Sequence, residues 1–236
     1  MKMLKKLKTF KKFILIVLII SLPMIIAYKI IQAVETEELQ DKCLIKVSKD
    51  TAKIKECIIT SGEISEDTIK EVCKIIQTQV PDEAWNYLVN SGGKLILVEG
   101  NDIKDYVLEN YGDEAREYKK ITGYCPYDYR IKQLWGINVG VLQKVDVIIA
   151  QDCLKGLVHE FCHVFDYSYD YSKTKEFQSF YDNADKILKK VFQDEEKVSY
   201  YARNHKEFFA ELSAQYIKGN LNGVDSELED YLSKIL

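Results

Sequence analysis

The sequence predicts an α+β fold, because its apolar runs of strand length all lie before residue 152 and only helical patterns follow. With 47% hydrophobic and 30% charged residues, the composition is that of a folded globular protein. At the border of the two parts lies LVHEFCHVFD, residues 157–166, which carries two histidines four positions apart. The chemistry of the molecule is therefore expected where the mixed part meets the helical part.

The first 34 residues are predicted to be a targeting segment. Six lysines precede an uncharged run at 13–28, and no acidic residue occurs before Glu35. The only small residues near a plausible cut, Ala27 and Ala33, each have isoleucine two positions earlier, which favours an uncleaved signal anchor over a cleaved signal peptide. The lysines keep the N-terminus in the cytosol. Residues 35–236 are then expected outside the cell, secreted or anchored to the cell membrane.

The external part is acidic. Of the 33 Lys+Arg, seven lysines lie before residue 35, which leaves 26 against 37 Asp+Glu and a net charge of −11. This balance argues against nucleic acid or anionic lipid as a partner of residues 35–236. All six cysteines lie in this part, as buried thiols or in up to three disulfides.

The first part of the chain mixes helices and strands. Ser65 is the predicted cap of one helix, and Pro81 precedes a second. KLILVEG at 94–100 predicts a strand, and the pattern at 102–110 indicates a helix. GINVGVLQ and VDVIIAQD, at 136–143 and 145–152, predict two strands that turn near Gln143 and Lys144.

The rest of the chain predicts helices alone. Asp152 is the expected cap of a helix that runs to about Tyr167, and residues 172–192 predict one amphipathic helix. Asn204 is the expected cap of a further helix with Gly219 as its stop, and residues 226–236 form a last helix.

The pattern HExxH at 159–163 predicts a zinc site. His159 and His163 are four apart, so on a helix their imidazoles emerge one turn apart on the same side, at the separation needed to bind one zinc ion. Glu160 is rotated by about 100° around the helix, which keeps its carboxylate beside the metal as a general base. Asp166, seven residues after His159, returns to the metal side, where it can accept the second ring N–H of a ligand histidine.

A third ligand is expected downstream, because catalytic zinc normally has three protein ligands. Glu207 and Glu211 are again four apart on one face of an amphipathic helix, so one carboxylate can close the site while the other orients a neighbour. His205 is a rival ligand, but it precedes Glu207 by two residues and would point elsewhere.

HEFCHVFD at 159–166 together with YYARNHKEFFAE at 200–211 resembles the catalytic domain of the anthrax lethal-factor-like zinc metallopeptidases, which include the secreted Pro-Pro endopeptidases of clostridia. The resemblance is strongest over 145–218 and weaker over about 66–144. It implies a zincin-like fold with a mixed lobe to about residue 168, which holds a small sheet and the active-site helix, and a helical lobe after it. It also implies that Glu207 is the third zinc ligand, that Glu211 is a partner behind the ligands, and that Tyr200 is a catalytic tyrosine.

In this resemblance the Tyr200 hydroxyl would donate a hydrogen bond to the developing oxyanion, and the adjacent Tyr201 leaves a one-residue ambiguity. The departure from the family pattern is Cys162, where glycine is usual. Its three readings are a small buried residue that fills a packing gap, a disulfide with Cys125 or another distant partner, and a zinc ligand.

These features predict a monomeric extracellular endopeptidase that holds one Zn²⁺ and cleaves a surface or secreted protein, with proline-rich sites suggested by the resemblance. Two alternatives stay open. One is a catalytically silent zinc-binding module that recognises a surface partner, and the other is a regulatory metallopeptidase that clips a repressor in the cytosol.

Overall fold

A four-stranded mixed sheet forms one layer of the fold in this computed structural model, which describes residues 45–112, 119–134, 137–221 and 223–236. The strands lie in the spatial order β1 (Ile58–Ser61), β2 (Leu95–Val98), β6 (Val147–Ala150) and β3 (Gly123–Tyr124). Strands β1, β2 and β6 are parallel, and β3 lies antiparallel to β6 at one edge. Both β2 and β6 are apolar and buried along their whole length, as expected for parallel strands covered on both faces.

Strands β4 (Tyr127–Leu134) and β5 (Ile137–Val145) form a separate two-stranded hairpin. The predicted turn at Gln143 and Lys144 is wrong, because β5 runs through both residues and pairs with β4 instead of β6. The chain passes from the hairpin to the sheet at Asp146, whose Oδ1 accepts a hydrogen bond from the backbone N–H of Lys94, 2.7 Å away. Both expected strands exist, but they belong to different sheets.

Four helices lie among the strands of the first part. They are α1 (Thr51–Cys57), α2 (Glu66–Gln79), α3 (Asp82–Asn90) and α4 (Lys104–Tyr111). The predicted cap of α2 is confirmed, since the Ser65 hydroxyl accepts a hydrogen bond from the Thr68 N–H. The patterns in the sequence did not predict α1, β1, β3 or β4.

Helix α5 (Leu157–Tyr169) is the centre of the molecule, with eleven of its thirteen residues buried. A helix covered on all sides must have partners on every face. Trp85 of α3 contacts Phe161 with ring centroids 6.4 Å apart, and Phe165 stacks on Phe209 at the same distance. The sheet end, α3 and the C-terminal helices thus all meet at α5.

The chain after α5 is helical, as predicted. The expected single helix at 172–192 is wrong: it is divided at Asp182 and Asn183, where the Asn183 N–H bonds to the Phe180 carbonyl and closes a turn. The helices are α6 (Lys175–Tyr181), α7 (Ala184–Val191), α8 (Glu195–Ala202), α9 (His205–Ile217) and α10 (Ser226–Ile235). Asn204 caps α9 through its Oδ1, and Gly219 ends that helix with a φ of 74°.

The α+β prediction is confirmed by this small mixed sheet and its surrounding helices. The predicted targeting segment, residues 1–34, lies outside the described residues and stays a prediction. In the described ranges, no helix has the length and apolar character that a membrane crossing requires.

Candidate metal centre

The histidine-bearing helix begins later than its sequence suggested. Asp152 is not its cap, because residues Gln151–Gly156 form a 3₁₀ helix in which Cys153 has a non-helical backbone, with φ −124° and ψ 28°. The regular helix starts at Leu157, directly after this kink. The kink carries the chain from the end of buried strand β6 into the core, so His159 and Glu160 occupy the first turn of α5.

The two histidines lie one turn apart with their outer ring nitrogens facing each other. Nε2 of His159 and Nε2 of His163 are 3.2 Å apart, and the rings are nearly perpendicular, with centroids 4.8 Å apart. Both residues are buried. Two imidazole lone pairs therefore converge on a common point, as the four-residue spacing predicts.

Glu207 reaches the same point from α9. The Asn204 Oδ1 accepts hydrogen bonds from the N–H groups of Lys206 and Glu207, and this cap sets the first turn of the helix. One Glu207 oxygen, Oε2, lies 3.5 Å from His159 Nε2, and the other, Oε1, lies 3.6 Å from His163 Nε2. Candidate ligand atoms of all three residues lie within 4.8 Å of one another.

Small residues let the two helices approach closely enough for this contact. Val158 and Cys162 of α5 pack against Ala210 and Ala214 of α9 in one buried cluster. The Cys162 side chain is fully buried, and its thiol is free like those of the other four cysteines in the described part of the chain. These observations support the packing reading of Cys162, and the group of candidate metal ligands does not include it.

Glu211 orients His159 from behind. Its Oε2 lies 2.9 Å from His159 Nδ1 and accepts that ring N–H, which leaves Nε2 for a metal. Its other oxygen, Oε1, accepts a hydrogen bond of 2.7 Å from Gln215, one turn further along α9. Because both carboxylate oxygens are engaged on the far side of His159, Glu211 is a partner of a ligand and not itself a ligand.

Asp166 does not serve in this way, contrary to its predicted role. Its Oδ1 accepts from the Ser172 N–H at 2.6 Å and its Oδ2 from the Ser172 hydroxyl at 2.7 Å. The seven-residue spacing returns it to the angle of His159 but about 10 Å further along the helix, beyond reach of the His159 ring. His205 also lies apart from the metal point, with its ring against Tyr181 at a centroid distance of 6.1 Å.

The Glu207 carboxylate fits a cation. Within the described residues its Oε2 is buried without a close hydrogen bond, since the contact with His159 Nε2 is 3.5 Å long. A buried carboxylate oxygen without a partner is costly, and a metal ion would relieve that cost. Two imidazole nitrogens and a carboxylate form the ligand set of a catalytic zinc site that keeps an open position.

The electrostatics also favour positive charge at this point. Burial would lower the pKa of His159, but the adjacent carboxylates of Glu207 and Glu211 raise it to about 10. Burial lowers the pKa of His163 to about 3, and the neighbouring charged His159 adds to the effect. The carboxylates thus stabilise a single cation here, as a proton on His159 or as a bound metal.

Glu160 is held beside the three ligands in the wall of a large cleft. It is 7% exposed, and burial raises the pKa of its carboxyl to about 8. The cleft has a volume of about 1360 Å³, and β3, α5, α8 and α9 contribute to its lining. Such a volume exceeds that of an ordinary small-molecule pocket and suits an extended chain.

Tyr200 and Tyr201 both line the cleft, in different settings. The Tyr201 ring lies 5.7 Å from the His159 ring, centroid to centroid, and burial together with the nearby Glu211 charge raises the pKa of its hydroxyl. Tyr200 is 42% exposed, and its ring carries the Arg203 guanidinium 4.0 Å from its centroid. Tyr201 is thus half-buried near His159 and Glu211, whereas Tyr200 is accessible from the cleft.

Two residues of this centre, Arg203 and Gly123, were not predicted from the sequence. Arg203 Nη2 lies 3.4 Å from Glu207 Oε1 while its guanidinium covers Tyr200, so it links the third ligand to the tyrosine. Its position four before Glu207 was a usable signal, although a turn separates it from α9. Gly123 of β3 lies directly against the Glu160 side chain, and no spacing in the sequence indicates that contact.

The fold is similar to that of a solved peptidase. The structure of the Pro-Pro endopeptidase PPEP-2 from Paenibacillus alvei matches with a TM-score of 0.53 and covers 78% of this chain and 99% of that chain. At 15% sequence identity the match shows a related fold. No family model and no curated protein matches the sequence. The expected α+β architecture is thus supported, while the zincin-like type and the lethal-factor-like family stay predictions.

Proposed function

We propose that this chain is a zinc-dependent endopeptidase that hydrolyses peptide bonds in a surface or secreted protein. The observation that carries the proposal is the convergence of His159, His163 and Glu207 on one point, with the buried Glu160 carboxyl beside it in an open cleft. The similarity in fold to a Pro-Pro endopeptidase supports a peptidase and makes proline-rich sites the first to test.

The zinc ion would be held by His159, His163 and Glu207, with Glu211 fixing the tautomer of His159. When bound, zinc supplies Lewis-acid polarisation of the scissile carbonyl and of the attacking water. Glu160 accepts the proton of that water and delivers it to the leaving amine. Its burial in the cleft wall favours this role, because burial raises the pKa of the carboxyl and makes its carboxylate a stronger base toward the water.

Tyr200 is the proposed donor to the oxyanion. Tyr201 is half-buried beside His159, whereas the more exposed Tyr200 lies in the cleft beside Arg203, which also contacts Glu207. The cation over its ring restrains an otherwise exposed side chain. Tyr200 can therefore place its hydroxyl toward charge that develops on the carbonyl oxygen.

The substrate is proposed to lie as an extended strand along β3. This strand is the sheet edge next to the cleft, and Gly123 and Tyr124 line the cleft wall. An edge strand offers backbone N–H and C=O groups to a peptide without demanding a particular side chain. Work outside the cell is proposed from the lysine-rich, apolar segment at 1–34.

The test is cleavage of a proline-rich peptide library, read by mass spectrometry with and without a zinc chelator. Glu160→Gln is expected to lower the rate by about 100- to 10,000-fold, because the amide cannot accept the proton. Zinc content is measured in the same samples. The proposal fails if Glu160→Gln retains zinc and cleaves as fast as the unmodified chain, or if chelation leaves cleavage unchanged.

A further inference from the structure

The strongest feature outside the ligand set is the contact between Gly123 of β3 and Glu160 of α5. A Cβ built on Gly123 would lie 2.8 Å from Glu160 Cδ and 3.0 Å from its Cγ, with Oε1 closer still. Real Cβ atoms essentially never approach another heavy atom within 3.0 Å. The carboxyl group of Glu160 therefore packs on bare backbone, in space that a side chain on Gly123 would fill.

The strand cannot move away to make room. Gly123 pairs with Ile149 in the antiparallel register of β3 and β6, and the carbonyl of the preceding Thr122 accepts a hydrogen bond from Ala150 N–H at 2.9 Å. One residue earlier, the Ile121 carbonyl accepts from the Ile103 N–H at 2.8 Å. The backbone of β3 is thus fixed to the core on the side away from the cleft.

The helix is equally fixed. Glu160 lies in the first turn of α5, and the side chains of Val158 and Phe161 in the same turn are fully buried. A change at position 123 would therefore be taken up by the Glu160 side chain itself. The backbone conformation at position 123 does not require glycine, since Gly123 is not among the glycines with a positive φ.

We propose that Gly123 is a positioning residue for the reaction: its missing side chain forms the seat that holds the Glu160 carboxylate in line with the attacking water. The inference rests on the proposed function for the role of Glu160, but the packing that carries it is independent of the substrate. It also explains why this edge strand has a glycine at the one point where α5 presents a carboxylate.

The experiment is Gly123→Ala. The added methyl group requires Glu160 to move by roughly 1 Å, and a displacement of that size lowers kcat by about 100-fold while KM stays within about twofold. Zinc content and the melting temperature are expected to match the unmodified chain. The control is Gly156→Ala, whose added Cβ would meet only Ile149 Cδ1 at an ordinary 3.5 Å and should leave kcat unchanged.

A second variant separates the seat from general damage to the fold. Glu160→Asp withdraws the carboxylate by one methylene, so it removes the clash with a methyl group at 123. The losses caused by Gly123→Ala and Glu160→Asp are expected to be less than multiplicative in the double variant. Losses that multiply, an unchanged kcat in Gly123→Ala, or a loss explained by missing zinc would each overturn the proposal.

A crystal structure of Gly123→Ala gives a reading without activity. A Glu160 carboxylate displaced by roughly 1 Å supports the seat, and one that remains in place overturns it. If the unmodified, zinc-loaded chain cleaves no peptide in the library, the proposed function fails while this structural reading still decides the packing claim.

Discussion

Cys162 lies where one residue can set the distance between the two helices that carry the candidate metal ligands. Its fully buried side chain lies between α5 and α9 beside Ala210 and Ala214, and burial raises the pKa of its thiol, so it packs as a neutral group. A larger side chain there would push Glu207 and Glu211 away from the histidines. The cysteine is therefore interpreted as a spacer of the α5–α9 contact.

We expect Cys162→Ala to lower the free energy of unfolding by about 1 kcal/mol and Cys162→Gly by about 2 kcal/mol, because glycine adds the cost of a flexible residue inside a helix. Zinc affinity should stay the same in both variants, since the ligands lie on another face. Urea unfolding and a zinc competition assay measure the two quantities. A large loss of zinc affinity in Cys162→Ala would contradict the spacer role and favour a ligand.

The tyrosine pair gives a matched comparison. Tyr200→Phe is expected to lower kcat by about 100-fold with KM unchanged, because it removes a donor to the oxyanion. Tyr201→Phe removes the hydroxyl next to Glu211 and His159 and is expected to weaken zinc binding by roughly tenfold while kcat at saturating zinc is retained. Steady-state kinetics at several zinc concentrations distinguish the two. The opposite pattern would exchange the roles of the two tyrosines.

At the scale of elements, the sequence predicted best what local chemistry determines. Helix α9 begins after Asn204 and ends before Gly219, as these two residues predicted, because a cap is a contact within one turn. The pairing of β5 with β4 instead of β6, and the contact of Gly123 with Glu160, depend on groups distant in the chain. For the same reason His159 and His163 could be paired from their spacing, and the Arg203 contact with Glu207, also between residues four apart, left a usable signal in the sequence.

Asp166 ties the end of α5 to the 3₁₀ turn Tyr171–Lys173 through its two bonds to Ser172. Burial raises the pKa of its carboxyl from 3.8 to about 6, although the Ser172 bonds act in the opposite direction. A group whose pKa is raised in the folded state contributes stability below pH 3.8, and this contribution is lost as the pH rises to about 6.

We therefore compare the free energy of unfolding of the unmodified chain with that of Asp166→Asn. The difference is expected to fall by on the order of 2–3 kcal/mol as the pH rises from 4 through 6, and to become constant once Asp166 is fully ionised. Urea titrations of both chains across this range measure the difference, and titrations shared by the two chains cancel. Ser172→Ala is the control: it keeps the backbone N–H bond but removes a hydroxyl bond that lowers this pKa, so it should keep or increase the pH dependence. A difference that is flat from pH 4 to pH 7 would refute the raised pKa.

Over the whole molecule, the metal is expected to act as a cross-link. Its three candidate ligands lie on α5 and α9, and His163 and Glu207 are 44 residues apart in sequence. Helix α8 with the two tyrosines lies between the two helices in the chain. A cation that binds only this folded arrangement stabilises it by about 2.7 kcal/mol at a free concentration 100 times the dissociation constant. For a chain of this size, the melting temperature should then rise by about 5–10 °C.

The rise should depend on pH, because zinc must displace the proton that Glu207 and Glu211 hold on His159 with a pKa of about 10. Below that pH, protons compete with the metal, so apparent zinc affinity is expected to fall by up to about tenfold per pH unit for one displaced proton. Calorimetry at pH 6, 7 and 8 with and without zinc measures the shift. Mg²⁺, which prefers oxygen ligands, should produce little shift. Glu207→Gln should reduce the zinc-induced rise, measured against the metal-free melting temperature of the same variant. An equal zinc-induced rise in Glu207→Gln, or one independent of pH, would place the metal elsewhere.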